Sequence, residues 1–435
     1  MAAFPTVKLA DCVDLLAGFA FKSQHFTDRP DDIPLVKGEN VSQGCILWEI
    51  SKRWSASDLP ALEKFQLRSG DVVVAMDRPW VPAGLKWAYI RHDDPKALLV
   101  QRCARLRSKT PRLDQDFLRF VIGGPGFESY VIPITTGVNV PHISGKQILD
   151  YEFLLPPISI QQRIAGILSA YDELIENCQR RIQILEAMAR ALYREWFVHF
   201  RFPGHESASR VASPLGSIPK GWEITNLDSV KAEQPHAING GPFGSKLVSK
   251  DYVASGVPVI RGSNLSESGR FDPTEFVFVS DEKAYELRAN LAKPGDIVVT
   301  QRGTLGQIGM IPSGIGYDRF VISQSQMKIT LNPKKVNREY AFFFLRSEEA
   351  NQRIKNLASS SGVPHINLAV LRDFNILVPP FGLQSQFGQF AVSTEAMIEV
   401  LLQKIQNLRR TRNLLLPRLL SGQINVEAIP EGAAA

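Results

Sequence analysis

Two carboxylate–lysine triplets, Asp94-Pro95-Lys96 and Asp281-Glu282-Lys283, have the short spacing used in metal-dependent phosphodiester cleavage. That chemistry needs a second acid to share the metal, and neither triplet has a convincing acidic partner upstream. Amino-group methylation of adenine needs Asp or Asn before a Pro-Pro-aromatic segment, to hold the target nitrogen. Here Pro379-Pro380-Phe381 follows Val378 and Pro156-Pro157-Ile158 follows Leu155, and an apolar side chain accepts no hydrogen bond. Gly303, Gly306 and Gly309 have the wrong spacing for a dinucleotide fingerprint, and no phosphate-binding P-loop is present. His142 and His365 lack neighbouring ligands, and Cys12, Cys45, Cys103 and Cys178 form no CxxC pair. The expectation is a chain with no catalytic residue and no metal of its own.

What remains is cationic and polar residues beside glycine, the types that contact phosphates and base edges. They are Lys22, Ser23, Lys37, Asn40 and Arg78 in the first half, and Ser245, Lys246, Arg261, Asn264 and Arg302 in the second. Arg and Asn make bidentate contacts to guanine and adenine respectively, and adjacent glycine lets backbone approach a groove. The plainer reading is solvated surface or local turn bonding. Residues that match between the halves also suit a fold-keeping role, which would leave the sequence code in positions that differ.

These candidates come in pairs because the chain is duplicated. Gly137-Val138-Asn139-Val140-Pro141-His142-Ile143 returns as Ser361-Gly362-Val363-Pro364-His365-Ile366, an offset of 223 residues (364 − 141). Leu154-Leu155-Pro156-Pro157 returns as Leu377-Val378-Pro379-Pro380. Pro34–Val41 pairs with Pro258–Leu265, Gly70–Val74 with Gly295–Val299, and Gly18–Ser23 with Gly241–Lys246 after a one-residue slip. The blocks keep their order, and a unit this long is no solenoid repeat. Internal two-fold pseudosymmetry suits a roughly two-fold ligand such as duplex DNA.

Each half opens with strand signals, β-branched runs such as Val72–Ala75 and Ile297–Thr300 after Gly-Asp turns. A helix late in each module is predicted from matching N-caps at Asp114 and Asn337. After each Pro-Pro the pattern becomes heptad-like. The first seam holds Ile164, Leu168, Ile175, Ile182, Leu185 and Leu192; the second holds Ile398, Leu401, Ile405, Leu408 and Leu415, with polar members at Thr394 and Arg412. A 3.5-residue period marks a left-handed coiled coil. Ser159 with Gln162 is a candidate capping box, Gly382 the equivalent cap, and Pro417 a predicted kink or break near Leu416. One helix alone would suit packing on its own module. Two in matching register favour an antiparallel pair, and with it a dumb-bell of two heads.

The predicted class is α+β, with two β-rich recognition domains in tandem pseudo-two-fold repeat, separated by two long helices packed as an antiparallel coiled coil. The domains are 1–157, a helix 158–202, 203–380, a helix 381–423 and a tail 424–435. At 435 residues, 44% apolar and 22% charged, the chain has ordinary globular composition. Its net charge of +6 permits nucleic-acid binding without requiring it. There is no apolar run of membrane-spanning length and no signal-peptide core, so a cytoplasmic protein is expected.

The borders carry a family likeness. Leu154-Leu155-Pro156-Pro157 followed by Ile160-Gln161-Gln162-Arg163-Ile164 resembles the entry to the central conserved region of type I restriction-modification specificity subunits. Ala191–Phe197 resembles its exit, Leu215–Trp222 the start of a second target-recognition domain, and Leu415–Gly422 the closing segment. One departure is Gln384-Ser385, where a Gln-Gln pair is usual. The resemblance covers nearly the whole chain. It implies a non-catalytic subunit whose two target-recognition domains read a split, asymmetric sequence in double-stranded DNA. It further implies two modification (methyltransferase) subunits docked on the helices, with restriction subunits added, and S-adenosylmethionine, ATP and Mg on those partners only. Alternatives are an independent DNA-binding regulator, a self-contained methyltransferase or nuclease, and a coiled-coil adaptor that never touches DNA.

Overall fold

A computed structural model of the protein describes residues 4–137, 140–214, 216–265, 270–357 and 365–426. The chain forms two compact units, residues 1–180 with 401–435, and residues 181–400. Each takes one β-rich head and a length of both long helices.

In the first unit the Gly-Asp signal works as a turn. Gly70 has φ +91°, a conformation that costs glycine little, and Asp71 accepts from the Arg68 amide at 2.8 Å. The chain then enters strand Val72–Ala75, whose four residues are all buried. It lies within a five-stranded sheet ordered Val13–Ala17, Cys103–Ser108, Val72–Ala75, Trp87–Tyr89, Gln43–Gly44. The pairings are antiparallel except the last. A three-stranded sheet of Leu98–Leu99, Ile33–Val36 and Arg53–Trp54 completes the head.

The second unit repeats the plan. Gly295 has φ +88°, Asp296 accepts from the Lys293 amide at 3.0 Å, and strand Ile297–Thr300 follows. Its antiparallel sheet is ordered Ile238–Gly240, Gln326–Ile329, Ile297–Thr300, Ile308–Met310. Beside it lie five strands in the order Tyr252–Val253, Val277–Val279, Val257–Ile260, Phe320–Ile322, Leu291–Ala292. Each head is closed by a pair joining an early strand to its last, Thr6–Lys8 with Glu152–Leu154 and, after the hairpin Arg210–Ser213 with Gly216–Pro219, Glu223–Asn226 with Asn375–Val378.

The late helices are Gln115–Ile122 and Arg338–Arg346, capped by Asp114 onto the Phe117 amide and by Asn337 onto the Tyr340 amide. A second helix follows each, Pro125–Ile134 and Glu348–Asn356, where the sequence pattern predicts only one. Pro125 and Pro133 disguise the first of these, since proline reads as a breaker even at a tolerated N-terminal position.

The long helices are Ile158–Tyr193 and Phe381–Leu420. In the first unit Ile164, Ala165 and Leu168 share a core with Leu416 and Leu419, and Asp172 meets Arg412 at 2.5 Å. Rising numbers on one helix meet falling numbers on the other, so the pair is antiparallel. The polar seam member Arg412 thus has a partner, and Asp172 also faces Arg119 of the head at 3.6 Å. In the second unit Tyr193 and Phe197 pack on Phe387, with ring centroids 5.8 and 5.3 Å apart. Ile164, Leu168, Ile175, Ile182, Ile398, Leu401 and Ile405 are buried; Leu185, Leu192, Leu408 and Leu415 are half-buried. Among the described residues no helix is long and apolar enough to cross a membrane.

Three helix-end expectations are corrected. Ser159 is no cap and Gly382 no equivalent, because the helices start two residues earlier than such caps require, at Ile158 and Phe381. Pro417 does not stop its helix, which runs on to Leu420; so close to the end, the missing amide and the ring clash touch only the final turn. The first helix instead passes into a π-turn at Arg194–Val198.

The real fastening at each start is a buried glutamine. Gln161 Nε2 donates to the carbonyls of Pro156 and Arg112, both at 2.7 Å, and Oε1 accepts from the Asp114 amide at 2.9 Å. Gln384 Nε2 donates to Pro379 at 2.6 Å and Oε1 accepts from the Asn337 amide at 2.9 Å. Each glutamine therefore ties a long helix to the N-cap of its head helix. The next position, Gln162 or Ser385, is not buried, so the departure from a Gln-Gln pair costs nothing at this latch. Gln161→Leu strands the buried Pro156 carbonyl and two part-buried groups, Arg112 O and Asp114 N, and is expected to lose about 2 kcal/mol, measured by urea unfolding. Gln162→Ala is expected to change stability by less than about 0.5 kcal/mol.

Candidate nucleic-acid interface

In each head several strand ends meet and hand their loops to one rim. In the first head the Gly18 amide donates to Cys103 O at 3.0 Å, Met76 N to Arg102 O at 2.8 Å, and Val100 N to Val36 O at 2.9 Å. Arg78 N and Ile143 N add bonds to Pro141 O at 2.6 Å and Met76 O at 2.9 Å. In the second head Gly241 N donates to Gln326 O at 2.9 Å, Gln301 N to Ser325 O at 2.8 Å, Ser323 N to Ile260 O at 2.9 Å, and Ile366 N to Gln301 O at 3.0 Å. The same loops converge in both halves, held by backbone bonds that do not depend on side-chain identity.

The sequence candidates divide on this frame. Lys22 and Ser23, Ser245 and Lys246, Arg78 and Arg302 are exposed on the converging loops. Lys37 and Arg261 sit at the neighbouring turns and are engaged locally. Lys37 meets Glu39 at 2.9 Å, and Arg261 Nη2 donates to Glu275 O at 3.2 Å.

Asn40 and Asn264 are corrected. Both are fully buried. Asn40 accepts from the Lys37 amide at 2.9 Å and donates to Leu35 O at 2.9 Å and Ser51 Oγ at 2.6 Å. Asn264 accepts from the Arg261 amide at 2.8 Å and donates to Asp272 O at 3.0 Å. Their amides close the turns from inside and are spent before any base arrives. The matching glycines are corrected likewise. A Cβ on Gly18 would lie 2.3 Å from Val100 O, and one on Gly241 1.9 Å from Ser323 O. Those glycines make room for the chain's own backbone, not for a groove.

Sequence reasoning missed the residues that differ across the rim. In the first head Asp77 holds His142 Nδ1 at 2.6 Å and has Arg102 Nη1 at 3.7 Å. Lys86 donates to Gly38 O, and burial pulls its ammonium below the ordinary lysine range. Burial also pushes the Cys103 thiol up to about 12, so it stays a neutral packing group. In the second head Gln301 Nε2 donates to Gln324 O at 2.6 Å, Gln326 is fully buried, and a Cβ on Gly262 would sit 3.9 Å from Gln307 Oε1. Beside the exposed cations common to both rims, the first therefore adds a carboxylate, Asp77, and the second adds amides, Gln301 and Gln326. The signal lay in the alignment of the halves, as polar positions that change type beside unchanged glycines. Val138, Asn139 and Ser361–Pro364, which the repeat singled out, lie outside the described residues, as does Leu215.

The nuclease-like triplets are structural. Asp94 accepts from Trp48 Nε1 at 2.8 Å and the Arg91 amide at 2.7 Å, and Asp281 pairs with Arg319 at 2.6 Å. Among the described residues no cluster of three His, Cys, Asp or Glu is placed to hold a metal.

Comparison with known proteins agrees with this duplicated plan. The chain is 24% identical over 336 residues to the type I restriction enzyme MjaVIII specificity subunit of Methanocaldococcus jannaschii, covering 76% of this chain and 75% of the relative. It is 21% identical over 437 residues to the type I restriction enzyme EcoBI specificity subunit of Escherichia coli, covering 97% and 86%. A similar fold occurs in the crystal structure of the type I restriction-modification system S subunit from M. genitalium, with TM-score 0.56, 15% identity and 96% of both chains covered. The family model for the type I restriction modification DNA specificity domain matches twice, at residues 2–187 and 219–409. Two copies of that domain make the chain a member of the type I restriction-modification specificity family, the non-catalytic component of those systems.

Proposed function

We propose that this chain recognises a bipartite, asymmetric sequence in double-stranded DNA, one half-site per head, and scaffolds two adenine-methylating modification subunits and the restriction subunits. The observation that carries the reading is the repeated rim: identical backbone plumbing, different side chains. That is what two readers of unlike half-sites on one duplex require. S-adenosylmethionine, ATP and Mg belong to the partner subunits in this reading, and the assembly is cytoplasmic. Lys22, Arg78, Lys246 and Arg302 supply affinity by neutralising phosphates.

The paired helices set the spacer between half-sites. Seven residues inserted into both helices add about 10 Å at 1.5 Å per residue. That corresponds to about three base pairs at 3.4 Å each. Single-molecule sequencing of methylated adenine in host DNA is expected to return the same half-sites with a longer spacer; an unchanged spacer would end the ruler reading. Exchanging residues 1–157 for those of another family member is expected to change one half-site and leave the other.

A further inference from the structure

The first rim holds two arginines in a backbone conformation that L-residues avoid. Arg78 has φ +45° and Arg102 φ +69°, two of four such non-glycine residues among those described. Left-handed backbone at a bulky residue is strained and persists only where its surroundings enforce it. Here the enforcement is visible: Arg78 N donates to Pro141 O and Arg102 O accepts from Met76 N. Both side chains are exposed, Arg102 by 60%. Asp77, the residue before Arg78, is fixed by His142 at 2.6 Å and lies 3.7 Å from Arg102 Nη1.

The second head lacks this arrangement. Ser325 stands there in place of Arg102 and Arg302 in place of Asp77: Gln301 N donates to Ser325 O as Met76 N does to Arg102 O, and Arg302 forms a backbone bridge to His365 as Asp77 does to His142. The left-handed residue there is Gly303, at φ +91°. The cluster is therefore no requirement of the shared fold.

Building on the DNA-recognition reading, we propose that Arg102 reads a guanine in the half-site of the first head, with Asp77 and His142 as positioning residues and Arg78 beside it. A phosphate contact would not explain the carboxylate: Asp77 repels a phosphate. It does suit a G·C edge, where guanine N7 and O6 take the guanidinium fork and cytosine N4 donates to a carboxylate. Arg102 Nη1 lies 3.7 Å from Asp77, beyond hydrogen-bond distance, so the ion pair orients the guanidinium without occupying its donors.

Arg102→Gly separates reading from folding, because glycine accepts φ +69° without strain. Binding of the full-length chain is measured by fluorescence anisotropy on a duplex carrying the methylation-defined motif. Each guanine of the first half-site is replaced in turn by 7-deazaguanine, which lacks the N7 acceptor. One such replacement is expected to weaken wild-type binding about tenfold or more. Arg102→Gly should bind as weakly, be indifferent to that replacement, keep the wild-type salt dependence and melt no lower than wild type. Arg102→Lys, charged but without the fork, should recover only part of the loss. Unchanged binding by Arg102→Gly overturns the assignment, as does a uniform loss with a salt slope shallower by about one, the mark of a phosphate contact. A wild-type chain that binds motif and scrambled duplex alike overturns the recognition reading and this one with it.

Discussion

Gly241→Ala is expected to cost at least about 3 kcal/mol and to leave little folded protein, because the added methyl overpacks a backbone that cannot step aside. Its carbon would lie 1.9 Å from Ser323 O, 2.4 Å from Ser323 C and 2.9 Å from Gln324 Cα. All three are main-chain atoms, and the segment is held by bonds from Ser323 N to Ile260 O and from Gln326 N to Ser323 O. Gly18→Ala meets the same obstacle at Val100 O, 2.3 Å, and Leu99 O, 2.6 Å. Thermal unfolding and soluble yield measure the effect. Had these glycines served only to admit a DNA groove, both variants would fold normally and lose binding alone. Gly166→Ala is the control: its Cβ meets nothing within 4 Å inside a continuous helix, so a gain of about 0.5–1 kcal/mol is expected.

Those two glycines also mark the line between what is legible in one sequence and what is not. Duplication was legible because matching residues perform matching backbone tasks: Gly70 and Gly295 turn, Gly18 and Gly241 yield space, Asp114 and Asn337 cap. The long helices were legible because neither a strand nor a loop sustains a 3.5-residue apolar period over many turns. The rim was harder. Repetition drew attention to Asn40 and Asn264, yet both are repeated for holding turns from inside. A short polar residue beside glycine looks the same in sequence whether its amide faces solvent or its own turn. Arg102 drew no notice because nothing in its letter records a left-handed backbone, and Asp77 with His142 are brought together only by the fold.

The second large effect is expected at Phe387, where the two heads solve one packing problem with different chemistry. Phe387 is fully buried against Tyr193, the last residue of the first long helix, and Phe197 of the π-turn that follows it, and its ring lies 5.1 Å from that of Phe343 in the head helix. Tyr340 completes the cluster, 4.7 Å from Phe197, with its hydroxyl donating to Leu377 O. At the repeat offset the first unit has Ile164, Leu416, Leu420 and Phe117 in place of Phe387, Tyr193, Phe197 and Tyr340, so three of these four positions are aliphatic there. Removing a buried phenyl leaves the larger cavity and forfeits the ring contacts, so Phe387→Ala is expected to lose about 3–5 kcal/mol. Ile164→Val should lose about 1 kcal/mol. Urea unfolding gives both numbers, and amide exchange should accelerate first in helix Arg338–Arg346 and at residues 381–400 in the Phe387 variant. A loss below about 1 kcal/mol would mean that the cluster fastens neither helix to its head. The spacer reading needs that fastening, since a helix transmits a change of length to a head only through a joint that does not give.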